Sequence, residues 1–412
     1  MAILKLSNGI QLVTDPMSNC TTVSIGIFLK IGSKYEVESE NGMTHFIEHL
    51  LFKNKKCDQH DGIIEHLESV GATINAFTTK ELICVYVKAL PTHVRYVLTA
   101  LVDMLTDFQV TDEAVEIEKK VILSEISRFR DNQYEQVQLN LLKLMLQKHP
   151  LTQEILGTEA GIRSYNKEQL ISFYDKHFAT NKLVCCISGA FTESEAQDAI
   201  SILSSMSTVH KDEINVGELT YNRSSIVKES EAFQHVLSFG YPSMSYLSPN
   251  MTTFMTMVQL VGGGTRSMLS KQLRETEGLV YSIYMTPLSY REGGVLVVNM
   301  STPISNDVNQ LRHSFHTLMK CIYTLGVDER NLERAKQMTI SKIVFGTESN
   351  QARMIELGKR VLYAPYDETF NTDPFAQHIA DIEALTLDDM NRIVNEIFKE
   401  KPACSIIASN KT

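Results

Sequence analysis

The chain has 412 residues, 43% hydrophobic and 21% charged, with a formal net charge of -10. Such a length suits two or three domains with sizeable cores, and the composition is that of an ordinary globular protein. The acidic balance argues against a general binder of nucleic acid or anionic membrane; it fits basic peptides, although a net charge locates no surface patch.

Met1 to Gly9 opens a strand and hairpin and looks like neither a secretory signal nor an Arg-rich transit peptide. Thr22 to Leu29 reads as a strand. His45-Phe46-Ile47-Glu48-His49 follows, the reverse of the H-E-x-x-H zinc signature. Met43, Phe46, Ile47 and Leu50 make an apolar helical stripe, and His45, Glu48 and His49 make a polar one beside it. Asn41 and Gly42 can begin this helix, with Ser39 another candidate cap. One turn apart, both imidazoles can reach one metal ion, and Glu48 stands close enough to take a proton from water. That is most of a hydrolytic zinc site; the bland alternative is a surface helix that happens to carry two histidines. His60, Glu65 and His66 fit no zinc-helix spacing and read as surface residues, and Lys53 to Lys56 as a solvated helix end.

Ile83 to Val87 reads as a strand and His93 to Phe108 as a helix. A two-histidine zinc site needs a third protein ligand, commonly a carboxylate. The helical stretch Asp112 to Arg130 offers Glu118 and Glu125 on one face, two turns apart, and spacing alone does not choose between them. Asp112, Glu113 and Glu116 fit a solvated first turn. Gln136 to Gln147 and Leu311 to Tyr323 read as helices and Gly294 to Met300 as a strand. Gly262-Gly263-Gly264 lacks the lysine and spacing of a phosphate-binding loop and reads as a turn into a Ser267 to Glu275 helix. His313 and His316 share a helix face without a nearby acid and read as packing or solvent-facing.

The chain repeats itself. Ile162 to Phe178 matches Ile382 to Phe398 at an offset of 220, which the strands Leu183 to Ile187 and Ala403 to Ile407 keep. Asp112 to Ile126 matches Glu329 to Ile343 at an offset of 217. Two homologous α+β domains are expected, each a mixed sheet with helices on one face. The expected boundaries are 1–208 for the first domain, 209–222 for a linker centred on Val209 to Glu218, and 223–412 for the second. No H-x-x-E-H occurs after residue 222, and Lys342 stands at the repeat position of Glu125, so one metal per chain is expected.

Together these segments resemble the pitrilysin (insulinase) family of zinc peptidases, which includes insulysin and the mitochondrial processing peptidase. In that family H-x-x-E-H is followed about 76 residues on by a glutamate ligand, with a helper glutamate seven positions before it. The resemblance therefore makes Glu125 the third ligand and Glu118 the supporting acid. Gly71 to Thr78, followed by Glu81 and Tyr86, resembles the family's substrate-pairing edge strand, with Asn75, Ala76, Phe77 and Thr78 as substrate contacts. Arg274 to Tyr281 resembles the arginine and tyrosine pair of its second half. The matches run from about Asn8 to the C-terminus.

The resemblance implies a Zn²⁺ endopeptidase acting on short or unstructured peptides. Glu48 would be the general base and Tyr281, held by Arg274, a donor to the scissile carbonyl. It also implies that the two domains form half of a clam-shell chamber. Short members pair as dimers, so a homodimer is expected, with a heterodimer with a related chain as the alternative. A non-catalytic peptide-binding or partner subunit is the competing class. Seven cysteines, Cys20, Cys57, Cys84, Cys185, Cys186, Cys321 and Cys404, contain no C-x-x-C and read as free thiols of a reducing compartment. With apolar runs too short to span a bilayer, a cytoplasmic location is expected.

Overall fold

A computed structural model describes residues 1–54, 62–106, 108–231, 233–364 and 373–410; His60, Cys57 and the lysines at 55 and 56 lie outside them. The first half of the chain carries strands β1 (Ala2–Lys5), β2 (Gln11–Pro16), β3 (Val23–Leu29), β4 (Thr73–Thr78), β5 (Ile83–Ala89) and β6 (Leu183–Gly189). Its helices are α1 (Met43–Leu51), α2 (Ile63–Ser69), α3 (Val94–Leu105), α4 (Asp112–Asp131), α5 (Gln133–Leu146), α6 (Glu159–Ser164), α7 (Lys167–His177) and α8 (Glu193–Ser204). The second half carries β7 (Ser225–Ser230), β8 (Gln234–Ser243), β9 (Ser282–Ser289), β10 (Gly294–Pro303) and β11 (Ala403–Ser409). Its helices are α9 (Met251–Gly262), α10 (Val308–Leu325), α11 (Glu329–Thr347), α12 (Asn350–Tyr363), α13 (Pro374–Glu383) and α14 (Leu387–Phe398). Where a Ser267 to Glu275 helix was expected, Ser270–Thr276 is a π-helical segment.

The sheets are mixed and share a five-strand topology, to which the first adds β1 at one edge. The first runs β1-β2-β6-β3-β5-β4 and the second β7-β11-β8-β10-β9. The parallel pair β2–β6 corresponds to β7–β11, and the remaining pairs are antiparallel in both. This is the repeat seen in the sequence: β6 and β11 keep the offset of 220 residue for residue, and α5 and α12 keep 217.

Strand alternation divides each sheet into two buried faces. In the first, Val23, Ile25, Ile27 and Leu29 pack with Val85, Val87, Cys185 and Ile187 against apolar residues of α1, α3, α4, α7 and α8. The opposite face carries α12. Ser24 donates to the Asn350 side chain at 3.2 Å, and Arg353 forks onto Asp15 at 2.7 and 2.8 Å. The fit is close: a Cβ at Gly358 would lie 2.1 Å from the Phe28 ring, so only glycine lets α12 approach β3. In the second sheet Leu237, Phe239, Leu296 and Val298 face α9, α10 and α14, while α5 covers Val236, Val295, Val297 and Ile407 with Val137, Leu141 and Met145.

The compact units are accordingly discontinuous, unlike the contiguous 1–208, 209–222 and 223–412 expected from sequence. One comprises Met1–Ser127, Gln153–Val216 and Phe345–Pro374; the other Arg128–Thr152, Gly217–Val344 and Phe375–Thr412. The reason is packing. α5 precedes β6 in the chain yet buries its apolar stripe on the second sheet, and α12 lies among second-half elements yet buries its stripe on the first.

Candidate metal centre

The site begins with the capping of α1. Met43, Phe46, Ile47, Leu50 and Leu51 are 0–4% exposed, so this stripe anchors the helix in the first core and turns His45, Glu48 and His49 the other way. Gly42 is the N-cap residue, at φ 95, and a Cβ there would lie 2.7 Å from Gly157 Cα. It has no side chain to cap with. The buried carboxylate of Glu36 does so instead, accepting from the Gly42 and Thr44 N–H groups at 2.9 and 2.8 Å and from the Asn41 amide at 3.0 Å. Ser39, a candidate from sequence, contributes only a carbonyl, which accepts from the Tyr165 hydroxyl. Burial pushes the Glu36 carboxyl upward, while the backbone N–H groups of Gly42 and Thr44 pull it down.

α4 runs past α1 with Val115, Ile122 and Ile126 in the core. Glu118 and Glu125, two turns apart, both face the histidines, and each meets a different nitrogen. Glu118 Oε2 accepts from His49 Nδ1 at 2.9 Å, while Glu125 Oε2 stands 3.7 Å from the Nε2 atoms of both His45 and His49. In a neutral imidazole, a proton on the Nδ1 atom that faces Glu118 leaves the lone pair on Nε2. Burial, and secondarily His49, lowers the His45 pKa to about 3, so His45 too is a neutral donor at neutral pH. At 3.7 Å neither Nε2 is hydrogen-bonded to Glu125. Three donor groups therefore converge within 4.8 Å of one another without bonding to each other. Tetrahedral zinc with bonds of about 2 Å holds its ligands about 3.3 Å apart, so this donor set fits zinc with a small contraction. The carboxylate–histidine contact through Glu118 is the usual support for such a ligand.

Glu48 is held by a neighbour rather than by the cluster: the Thr78 hydroxyl donates to its Oε2. Burial raises the Glu48 pKa, with Glu125 adding to the rise and the Thr78 and His49 contacts opposing it. A carboxylate so raised is a better proton acceptor. Thr78 ends β4, which is the edge strand of its sheet, paired on one side to β5 with Asn75 opposite Tyr86. Asn75 is exposed, and Ala76, Phe77 and Thr78 are partly so. The β4–β5 turn is braced by a buried ion pair, Lys34 Nζ to Glu81 Oε1 at 2.6 Å.

The structure thus gathers His45, His49, Glu125, Glu118, Glu48 and the Asn75–Thr78 strand in one unit. Arg274 and Tyr281 belong to the other unit, where both side chains are exposed, Tyr281 to 74%. Glu65 and His66 are exposed on α2, in keeping with surface residues. Sequence reasoning missed Glu36 as the cap and Thr78 as the partner of Glu48. A carboxylate six residues before the N-cap Gly42 was the available signal for the first; the second required the register of β4 beside α1.

The chain resembles known proteins over nearly its whole length. Residues 12–159 match the family model described as insulinase (peptidase family M16), and residues 164–339 the model described as peptidase M16 inactive domain. A protein of Bacillus subtilis described as the uncharacterized zinc protease YmxG is 26% identical over 404 residues, covering 97% of this chain and 96% of that protein. An uncharacterized zinc protease of Rickettsia felis is 27% identical over 410 residues, covering 99% and 97%. Among solved structures, a protease from Helicobacter pylori superposes with a TM-score of 0.89 at 15% identity, covering 98% of each chain. A peptidase M16 inactive domain from Pseudomonas fluorescens gives 0.89 at 16%, covering 100% and 98%; these two likenesses establish the fold. With both halves matched by its models, the chain belongs to the insulinase (M16) family of peptidases.

Proposed function

We propose that this protein is a zinc-dependent endopeptidase that hydrolyses short or unstructured peptides. The observation that carries the reading is the convergence of His45 Nε2, His49 Nε2 and Glu125 Oε2 on one point, with Glu48 beside them and outside the donor set. Zinc, when bound, supplies a Lewis acid that polarises the scissile carbonyl and makes water acidic near neutral pH. His45, His49 and Glu125 hold it, and Glu118 fixes the tautomer of His49. Glu48 takes a proton from the attacking water and passes it to the leaving amine. The free edge of β4 offers backbone groups to an extended peptide, which favours unfolded segments over folded domains.

The alternative is a peptide-binding partner subunit without activity of its own. One comparison separates them: digestion of a peptide library, read by mass spectrometry, with zinc-loaded wild type and zinc-loaded Glu48→Gln. Cleavage by the wild type and a loss of ~10²–10⁴-fold in the variant support the peptidase. No cleavage by a zinc-loaded wild type, or near-normal turnover in the variant, sinks it.

Three finer readings belong to the same proposal. Leader or presequence-like peptides suit a processing role. The six described cysteines are free thiols, which supports a reducing compartment such as the cytoplasm; among the described residues no helix is long and apolar enough to cross a membrane. The exposed Arg274 and Tyr281 would act in a homodimer, or in a heterodimer with a related chain, by contacting peptide at the partner's metal centre. Mixing Glu48→Gln with Tyr281→Phe protein under conditions of demonstrated subunit exchange should restore activity. Exchange without recovery, or a monomer by light scattering, removes the shared site.

A further inference from the structure

We propose that a cavity in the second unit, apart from the metal centre, binds a small organic anion carrying a phosphate or carboxylate group on a flat apolar body. The cavity has a volume of about 520 Å³ and is walled by α10, the start of β11 and the α14–β11 connection. That size suits a small-molecule ligand. Arg312, His316, Lys320 and Tyr323 line it from one face of α10, at helical spacing, and Lys399 and Lys401 line it from the connection. Glu400 is the sole acid among the lining residues, and it is already engaged by Arg223 at 2.8 Å. In a chain of net charge -10, this is a local reversal of sign.

Two buried groups distinguish the cavity from a solvated basic rim. Tyr241 lines it while only 1% exposed, its ring edge-on to Phe398 at 5.1 Å, and no described residue hydrogen-bonds its phenol. Arg312 Nε is buried with no hydrogen-bond partner. Exposed lysines need no partner, but the buried Arg312 N–H left unbonded costs free energy that an oxyanion would relieve, and the Tyr241 hydroxyl is a further donor in the cavity lining. Met319, Tyr323 and Phe398 supply the apolar wall for the ligand body.

The test is isothermal titration of the full chain with inorganic phosphate, phenyl phosphate and phthalate, with Arg312→Gln, Tyr241→Phe and Lys401→Gln as variants. We expect one site per chain, tighter for an aromatic anion than for inorganic phosphate. Whichever of phenyl phosphate and phthalate binds more tightly identifies the head group. Arg312→Gln should weaken binding about tenfold or more, and Tyr241→Phe about threefold, with zinc content unchanged in both. Tyr241→Phe deletes only an unbonded hydroxyl and keeps the packing. If Arg312→Gln does not fold by circular dichroism, Tyr241→Phe and Lys401→Gln carry the test. No saturable binding of any probe up to millimolar concentration overturns the proposal. So does binding that the folded variants leave unchanged.

Discussion

Glu118→Gln probes the metal centre at a residue that is not itself a donor to the metal. Glu118 Oε2 lies 2.9 Å from His49 Nδ1, and its side chain is only 10% exposed, so the contact is a charge-assisted hydrogen bond with little water to replace it. Such a bond is worth about 1.5–3 kcal/mol. Glutamine is the same size and can still accept through its carbonyl oxygen, so the geometry survives and the charge is lost. The other contact of Glu118, with Lys53 at 4.0 Å, involves a lysine that is 48% exposed and contributes little. Zinc affinity should therefore fall ~10–100-fold, the usual cost of losing a carboxylate behind a ligand histidine. Competition against a chromophoric chelator measures it. Peptide cleavage at excess zinc should recover most of the lost turnover, because Glu118 supports the ligand and not the proton transfer. An affinity within about twofold of wild type would refute the assigned support role. A turnover deficit persisting at saturating zinc would instead place Glu118 in the chemistry.

Glu36→Ala strands the Gly42 and Thr44 N–H groups and the Asn41 amide in a buried place, and should cost about 2–4 kcal/mol in thermal or urea unfolding while lowering zinc content; unchanged stability contradicts its capping role. Gly358→Ala drives a methyl group into the Phe28 ring and should cost about 1–3 kcal/mol, and a neutral effect in the same melt would mean that α12 shifts freely over β3. Thr78→Val removes the hydroxyl that pulls the Glu48 pKa down, so the acid limb of the kcat/KM profile should move to higher pH with zinc retained; an unmoved limb rules the contact out of catalysis. The metal-free protein should lose stability as pH falls from about 6.5 toward 4, because the unfolded chain takes up protons that folded His45 and His177, with pKa values of about 3 and about 4, refuse. His177→Gln should flatten that slope in pH-dependent melts, and an unaltered slope would show that His177 is not held neutral.

The sequence alone determined what depends on local period. A helix brings residues four apart to one face, so H-x-x-E-H is legible as two imidazoles over one ion. The alternation of β3 and the offsets of 217 and 220 are equally local, and the two sheets have the common topology they imply. Between Glu118 and Glu125 period could not choose, because both lie on one face of α4. Only the crossing of α4 with α1 sends one to the Nδ1 side of His49 and the other to the Nε2 side. The same limit hid the Glu36 cap and the Thr78 contact, which join residues close in space through a turn and a sheet edge. It also hid the exchange of α5 and α12. An apolar stripe records that a helix must be buried, but not against which sheet. That was decided by side-chain fit between distant segments, Gly358 against Phe28 on one side and Met145 against the β8–β10 face on the other.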